Sequence, residues 1–197
     1  MATTRDRQRE ETVARVLDSA GGLFRTKGFA ETTIRDIAAA CGVSIGTVIS
    51  VGDKNALLLA SFDRLIAGIH DERRGRIAVS VGSRVDRVAA LFDPFIELFT
   101  SDAALARAYA SVLVAGTHDS VVFTELSRTL IGEIEATLRD VESSDHRRIS
   151  STAESLYFAY IGRLFTWSSA DDGDVAELTQ SLRRIVTAIC PSEEPST

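Results

Sequence analysis

Thr32-Thr33-Ile34-Arg35-Asp36-Ile37-Ala38-Ala39-Ala40-Cys41-Gly42-Val43-Ser44-Ile45-Gly46-Thr47-Val48-Ile49-Ser50-Val51-Gly52-Asp53-Lys54 is the stretch that decides the fold. Ile34, Ile37, Ala38 and Cys41 recur at helical spacing and give one apolar face. Thr33 with Asp36 resembles a capping box, in which hydroxyl and carboxylate each satisfy a free backbone N–H. Gly42 ends this helix, and Ser44 caps a second, short one that runs to about Ser50. Two short helices joined by a glycine turn, the second small and hydroxyl-rich, form a helix-turn-helix that can enter a DNA major groove.

Working outward, helical periodicity continues in both directions. Val13, Val16, Leu17, Ala20, Leu23 and Phe24 share one face of a first helix that stops near Gly28. Its interior Gly21-Gly22 costs roughly 1 kcal/mol per residue against alanine, which asks for close packing against a neighbour. A fourth helix begins at Asp53 and runs to about Ile77, and residues 79–84 read as a loop. Pro94 interrupts the fifth helix and is expected to bend or break it, freeing the Ala90 carbonyl. Further helices cover about Ala103–Ala115, Phe123–Val141, Arg147–Ser169 and Val175–Ile189. Turns are expected at Gly116-Thr117-His118-Asp119, from Ser143 and at Asp171-Asp172-Gly173-Asp174. From Leu156 to Trp167 the eighth is apolar almost all round, so neighbours are expected on every side.

The expected class is all-α, with about nine helices. Residues 1–54 would be a three-helix helix-turn-helix DNA-binding domain, 55–190 a helical ligand-binding and dimerisation domain, and 191–197 a disordered tail.

Charge is distributed to match. The net charge is −6, which argues against a general nucleic-acid coat protein. Residues 1–54 nevertheless hold eight Lys/Arg against seven Asp/Glu, and residues 55–197 hold fourteen against twenty-one. The slight basic excess lies at the DNA-reading end. No apolar run approaches the ~20 residues of a membrane span, and the start lacks a signal-peptide core, so a soluble cytoplasmic protein is expected. Two cysteines give no disulfide framework. Cys41 is expected to be a buried, inert thiol and Cys190 to lie at the end of the last helix. His70, His118 and His146 are scattered and no Cys-x-x-Cys exists, so no metal or cofactor is expected. No catalytic constellation supports an enzyme.

The segment Ala38 to Val48, followed by Lys54-Asn55-Ala56-Leu57-Leu58, resembles the DNA-binding domain of TetR/AcrR transcriptional regulators. The resemblance covers about a quarter of the chain. It implies an all-α homodimer that binds a palindromic operator and dimerises through its last two long helices. It also implies a C-terminal domain that takes a small molecule. Three departures stand out. The family's tyrosine after the Gly-Thr is Ile49 here, with Val51 and Gly52 in the following aromatic region. Lys54 falls eight positions after Gly46, one fewer than usual. The family's frequent lysine at Ile45 is also missing.

The expected DNA-binding residues are Thr33, Ser44, Ile45, Gly46, Thr47, Ile49, Ser50 and Lys54. Small hydroxyls suit phosphate oxygens and base edges, Ile45 and Ile49 suit thymine methyls, and Gly46 lets backbone approach phosphate. Thr33 and Lys54, at the starts of their helices, would clamp the DNA backbone. Arg5, Arg7 and Arg9 are expected to precede the first helix and reach phosphates or the minor groove. The expected effector-binding residues are Phe92, Phe95, Phe99, Tyr109, His118, Phe123, Phe158 and Phe165, an aromatic set for a small apolar or aromatic ligand. The combined reading is a ligand-responsive repressor, released from its operator by that ligand. The alternative is a helical ligand- or protein-binding module whose helix-turn-helix does not read DNA.

Overall fold

The computed structural model describes residues 4–74, 82–118, 120–139, 146–170 and 173–190, with the side chains of Arg74 and Phe123 excepted. The expected end of the fourth helix at Ile77, residues 79–81 of the expected 79–84 loop, Asp119, Val141, the turn from Ser143, Asp171-Asp172 and the 191–197 tail lie outside the described residues.

Nine α-helices and one five-residue π-helical turn are present among the described residues, and no strand. They are α1 (Thr4–Thr26), α2 (Ile34–Cys41), α3 (Ile45–Val51), α4 (Lys54–Arg74) and α5 (Arg84–Thr100). Then come α6 (Ala103–Ala115), the π-turn (Val122–Leu126), α7 (Ser127–Leu138), α8 (His146–Ser169) and α9 (Val175–Ile189).

By packing, the chain divides into two units. The first comprises residues 1–66 with 102–120, the second residues 67–101 with 121–197. The first unit thus takes the front of α4 and all of α6.

In the first unit α1 packs on α2 and α3, and α2 on α3. Val16, Ala20, Phe24, Ile37 and Val48 are buried. Each belongs to an apolar stripe at helical spacing. The α2 capping box is realised in full. Thr33 Oγ1 accepts from the Asp36 N–H at 3.2 Å, and the Thr33 N–H donates to Asp36 Oδ2 at 2.9 Å. Gly42 adopts φ 68°, the left-handed region, and its N–H bonds the Ala38 carbonyl. Glycine supplies that conformation without the strain a Cβ brings. The chain then turns 106° into α3, within the range of a helix-turn-helix.

Two expectations fail in α1. It begins at Thr4, so Arg5, Arg7 and Arg9 lie on the helix and not in an arm before it. Helix-favouring residues carry the helix back into the polar start. The packing account of the glycine pair fails for Gly22. A Cβ on Gly21 would meet Ser61 Cβ at 3.6 Å, ordinary contact, while one on Gly22 would meet nothing within 4 Å.

In the second unit α5 packs on α7 and α9, and α8 on α7 and α9. Pro94 does not break α5, which runs unbroken through it. Val88, Phe92, Phe95, Ile96 and Phe99 are all buried, and that burial offsets the lost backbone hydrogen bond. Ser83 and Asp86 form a second capping box at its start. Helix α8 is not enclosed by its own chain. Leu156, Tyr157, Tyr160, Leu164 and Trp167 are buried, but Phe158 is 64% exposed. Cys41 is half-buried and Cys190 buried, the reverse of the emphasis expected. Cys41 sits in the last turn of its short helix, past the buried Ile37 and Ala38.

Among the described residues no single helix is long and apolar enough to cross a membrane.

Candidate nucleic-acid interface and effector site

Helix α3 holds most of the expected DNA-reading residues on a seven-residue frame. Val48 is fully buried and anchors it. Ile45 and Ile49, one turn apart, stand outward at 43% and 60% exposure. Ser44, Gly46 and Ser50 are also exposed, and Thr47 is half-buried. Ser44 Oγ caps the helix by accepting from the Thr47 N–H at 3.0 Å and lies 2.8 Å from Thr47 Oγ1. Ser50 Oγ donates to the Thr47 carbonyl at 2.7 Å. A Cβ on Gly46 would meet only Ser44 Oγ, at 3.7 Å. Packing within the protein therefore does not demand glycine there.

The exit from α3 is a tight two-residue link. Gly52 is extended, with φ 168°. A Cβ on it would stand 2.9 Å from Ala56 Cβ. The shortened link draws the start of α4 this close, and no aromatic side chain fits there. Asp53 caps α4 by accepting from the Ala56 N–H at 2.9 Å. That bond, followed by the one with His118, holds the Asp53 carboxyl below its ordinary range.

Thr33 and Lys54 are placed at the starts of α2 and α4 as expected, but both are engaged. Thr33 Oγ1 donates to Asp36 Oδ2 at 2.8 Å. Lys54 Nζ donates to the Ala30 carbonyl at 3.1 Å and lies 4.5 Å from the centre of the Phe29 ring. Lys27 pairs with Asp36 at 2.6 Å, and its hydrogen bond with Thr33's holds Asp36 down at about 2. Arg35 escaped the sequence reading. It is exposed on the first turn of α2, with no side-chain partner among the described residues. The signal was available, because a cation there opposes the helix dipole and so does not serve the helix.

The eight expected effector residues do not gather. Tyr109 and His118 lie in the first unit. Tyr109 stacks on Phe62 at 4.4 Å, and its hydroxyl donates to Asp63 at 3.2 Å. His118 Nε2 is 2.9 Å from Asp53 Oδ2, and its Nδ1 is 2.9 Å from Thr117 Oγ1. Helical spacing identifies aromatics but not the unit they pack into. Phe158 lines no interior, being mostly exposed. The Phe123 side chain lies outside the described residues. Phe92, Phe95 and Phe99 are buried in the second unit, and Phe165 is half-buried.

Of these, Phe92 borders a cavity of about 180 Å³ between α5 and α9. Its other walls include Ile96, Leu182 and Val186, with Asp86, Asp93 and Arg183 supplying charge. Arg183 pairs with Asp86. Partial burial pushes Asp93 up, against the opposing pull of Arg73 and Arg183, although one side of it meets solvent. Beside this cavity Phe92 stacks on Tyr160 at 4.6 Å.

A buried polar cluster, missed in the sequence, also lies in the second unit. His70 is 2% exposed, with Nδ1 2.8 Å from Glu133 Oε1. Arg73 bonds Glu133 at 2.9 Å, donates to the Leu91 carbonyl and lies over the Phe95 ring. Burial pushes Glu133 up, but His70 and Arg73 outweigh it and hold the carboxyl below its ordinary value.

A helix-turn-helix with an outward second helix, in an all-α chain with a further helical unit, is an arrangement found in DNA-binding transcription regulators. Residues 16–60 match the family model of bacterial regulatory proteins, tetR family. That stretch, α1 from Val16 through the front of α4, therefore resembles the DNA-binding domain of the TetR family. The chain is similar in structure to FadR of Thermus thermophilus, a TetR-family repressor solved with lauroyl-CoA. The identity is 24%, over 94% of this chain and 98% of that one, with a TM-score of 0.68. A TetR regulator of Rhodococcus sp. RHA1 is 16% identical over 93% and 95%, also at 0.68. FadR of Bacillus subtilis, solved with stearoyl-CoA, is 16% identical over 88% and 96%, at 0.54. At these identities the likeness is one of fold. No curated protein matches the chain.

Proposed function

We propose that this protein is a dimeric repressor that binds a palindromic operator through α3 and is released by a small apolar or aromatic effector. The observation that carries it is the outward face of α3, where Ser44, Ile45, Gly46, Ile49 and Ser50 are all exposed after the 106° turn. Thr33, Thr47 and Lys54 flank that face, and Arg35 adds a cation with no partner among the described residues.

Phe158, 64% exposed on α8 with half-buried Ile161 and Phe165 one and two turns further on, is the feature on which we place a homodimer contact through the last two helices. Each recognition helix of such a dimer would meet successive major grooves about 34 Å apart. An effector that binds better to a dimer of different spacing lowers operator affinity by its differential affinity for the two states. Helix α4 contributes residues to both packing units and is the lever we assign.

The effector site we assign is the α5–α9 cavity with Phe92. Its volume is below the ~300–1,000 Å³ of drug-sized sites, which favours a small effector over the lauroyl-CoA and stearoyl-CoA of the two FadR structures.

One observation favours a second reading, a module whose helix-turn-helix does not read DNA. Residues 42–52 carry no charge and Lys54 is tied to Ala30 and Phe29. Selection of duplexes from a random pool by the purified full chain separates the two. Enrichment of a palindrome with half-sites about 10 base pairs apart is expected. Recovery of no motif at all sinks the repressor reading and leaves the second.

A further inference from the structure

The polar side chains of α3 are largely spent on α3 itself. Ser44 Oγ caps the helix and meets Thr47 Oγ1, Ser50 Oγ donates to the Thr47 carbonyl, and Gly46 has no side chain. No Lys, Arg, Asp or Glu occurs between Gly42 and Gly52, and no Asn or Gln either. The side chains that read guanine by paired hydrogen bonds, or adenine likewise, are therefore absent from this helix. The outward side chains that make no bond within the helix are a pair of isoleucines one turn apart, Ile45 and Ile49. Two exposed β-branched residues in a seven-residue helix add nothing to its stability, because they lose side-chain freedom there and leave apolar surface in water.

We propose that Ile45 and Ile49 are the specificity-determining residues of α3 and that they recognise the 5-methyl groups of thymine in the major groove. Thymine is the one base that presents an apolar group there. Burying a methyl against an aliphatic side chain improves affinity about fourfold. Small hydroxyls and the bare backbone at Gly46 allow the close approach such contacts need. Discrimination on α3 then comes from apolar contact, and phosphate contacts elsewhere supply sequence-independent affinity. The inference rests on the DNA-reading function proposed above.

The test uses the full chain and the duplexes recovered from the random pool. Each thymine is replaced in turn by deoxyuridine, which keeps base pairing and every other major-groove group and removes only the methyl. About fourfold weaker binding is expected at one or two thymines in each half-site. Ile49→Ala should abolish the difference at one of them and Ile45→Ala at another. Both residues are exposed, so unchanged circular dichroism and melting are expected for the variants. Equal affinity for thymine and deoxyuridine duplexes at every position overturns methyl recognition while DNA reading stands. A difference that persists in the Ile45→Ala/Ile49→Ala double variant assigns it to other residues and overturns the proposal. If no duplex is recovered at all, DNA reading itself falls and methyl recognition falls with it.

Discussion

Lys54 carries two roles that separate by measurement. Its ammonium holds the Ala30 carbonyl and the Phe29 ring, so it straps the start of α4 to the loop between α1 and α2. A charged hydrogen bond and a cation–π contact at a partly exposed site together contribute about 1–2 kcal/mol. Lys54→Gln should lower stability by that amount in urea unfolding of the DNA-free protein. Unchanged unfolding would remove the strap. The same variant read on DNA should lower the salt slope by about one if Lys54 also meets phosphate. At Gly52 the constraint is steric, since a Cβ there would crowd Ala56. Gly52→Ala should cost about 1–3 kcal/mol as an overpacked contact, seen as a lower urea midpoint at constant slope.

At the scale of elements, α2 shows how a sequence pattern becomes a measurable quantity. Thr33→Ala removes one half of its capping box and should destabilise by about 1 kcal/mol. Asp36 adds a pH dependence of known sign. Its folded value of about 2 lies below the ordinary 3.8. The stability it contributes is therefore fully present above about pH 4 and is lost as pH falls toward 2. Asp36→Asn should lower the stability at neutral pH and flatten that part of the acid limb, followed by thermal melting between pH 2 and 5. A limb of unchanged steepness would show that Asp36 is not the group responsible. Helix α1 offers the opposite change. With nothing near the site of a Cβ on Gly22, Gly22→Ala should raise stability by about 0.5–1 kcal/mol, and a loss instead would reveal a steric demand at that site.

For the whole molecule, the informative surface is the one the single chain leaves open. Phe158 stands 64% exposed on α8, between buried Tyr157 and Tyr160 on its other faces. In the proposed dimer it is covered, and Phe158→Glu would place a charge in that contact. Sedimentation equilibrium should show a dimer for the wild type and at least tenfold weaker association for the variant. A monomeric wild type, or an unaffected variant, moves the interface elsewhere.

The nine helices and both caps of the helix-turn-helix were legible in the residues, because apolar period, Thr33 with Asp36, and Gly42 with Ser44 are local signals. The site was less so. Its outward face on α3 followed from spacing. The engagement of Lys54 with Ala30 and Phe29, His118 with Asp53, and Tyr109 with Asp63 joins residues far apart in sequence. No local pattern encodes such pairings. The expected aromatic set mixes two packing units for the same reason, and hydrophobicity marks Phe158 as apolar without saying what covers it.

By itself, then, the sequence determined the all-α class, the order of the helices and the helix-turn-helix, since these depend on contacts a few residues apart. Tertiary structure alone decided which cations and hydroxyls are already spent. It also decided which apolar residues stay outward, and that the Gly52 link brings α4 close enough to exclude an aromatic anchor. Those outcomes depend on long-range packing, in which each side chain's partner is set by where the whole helix lands.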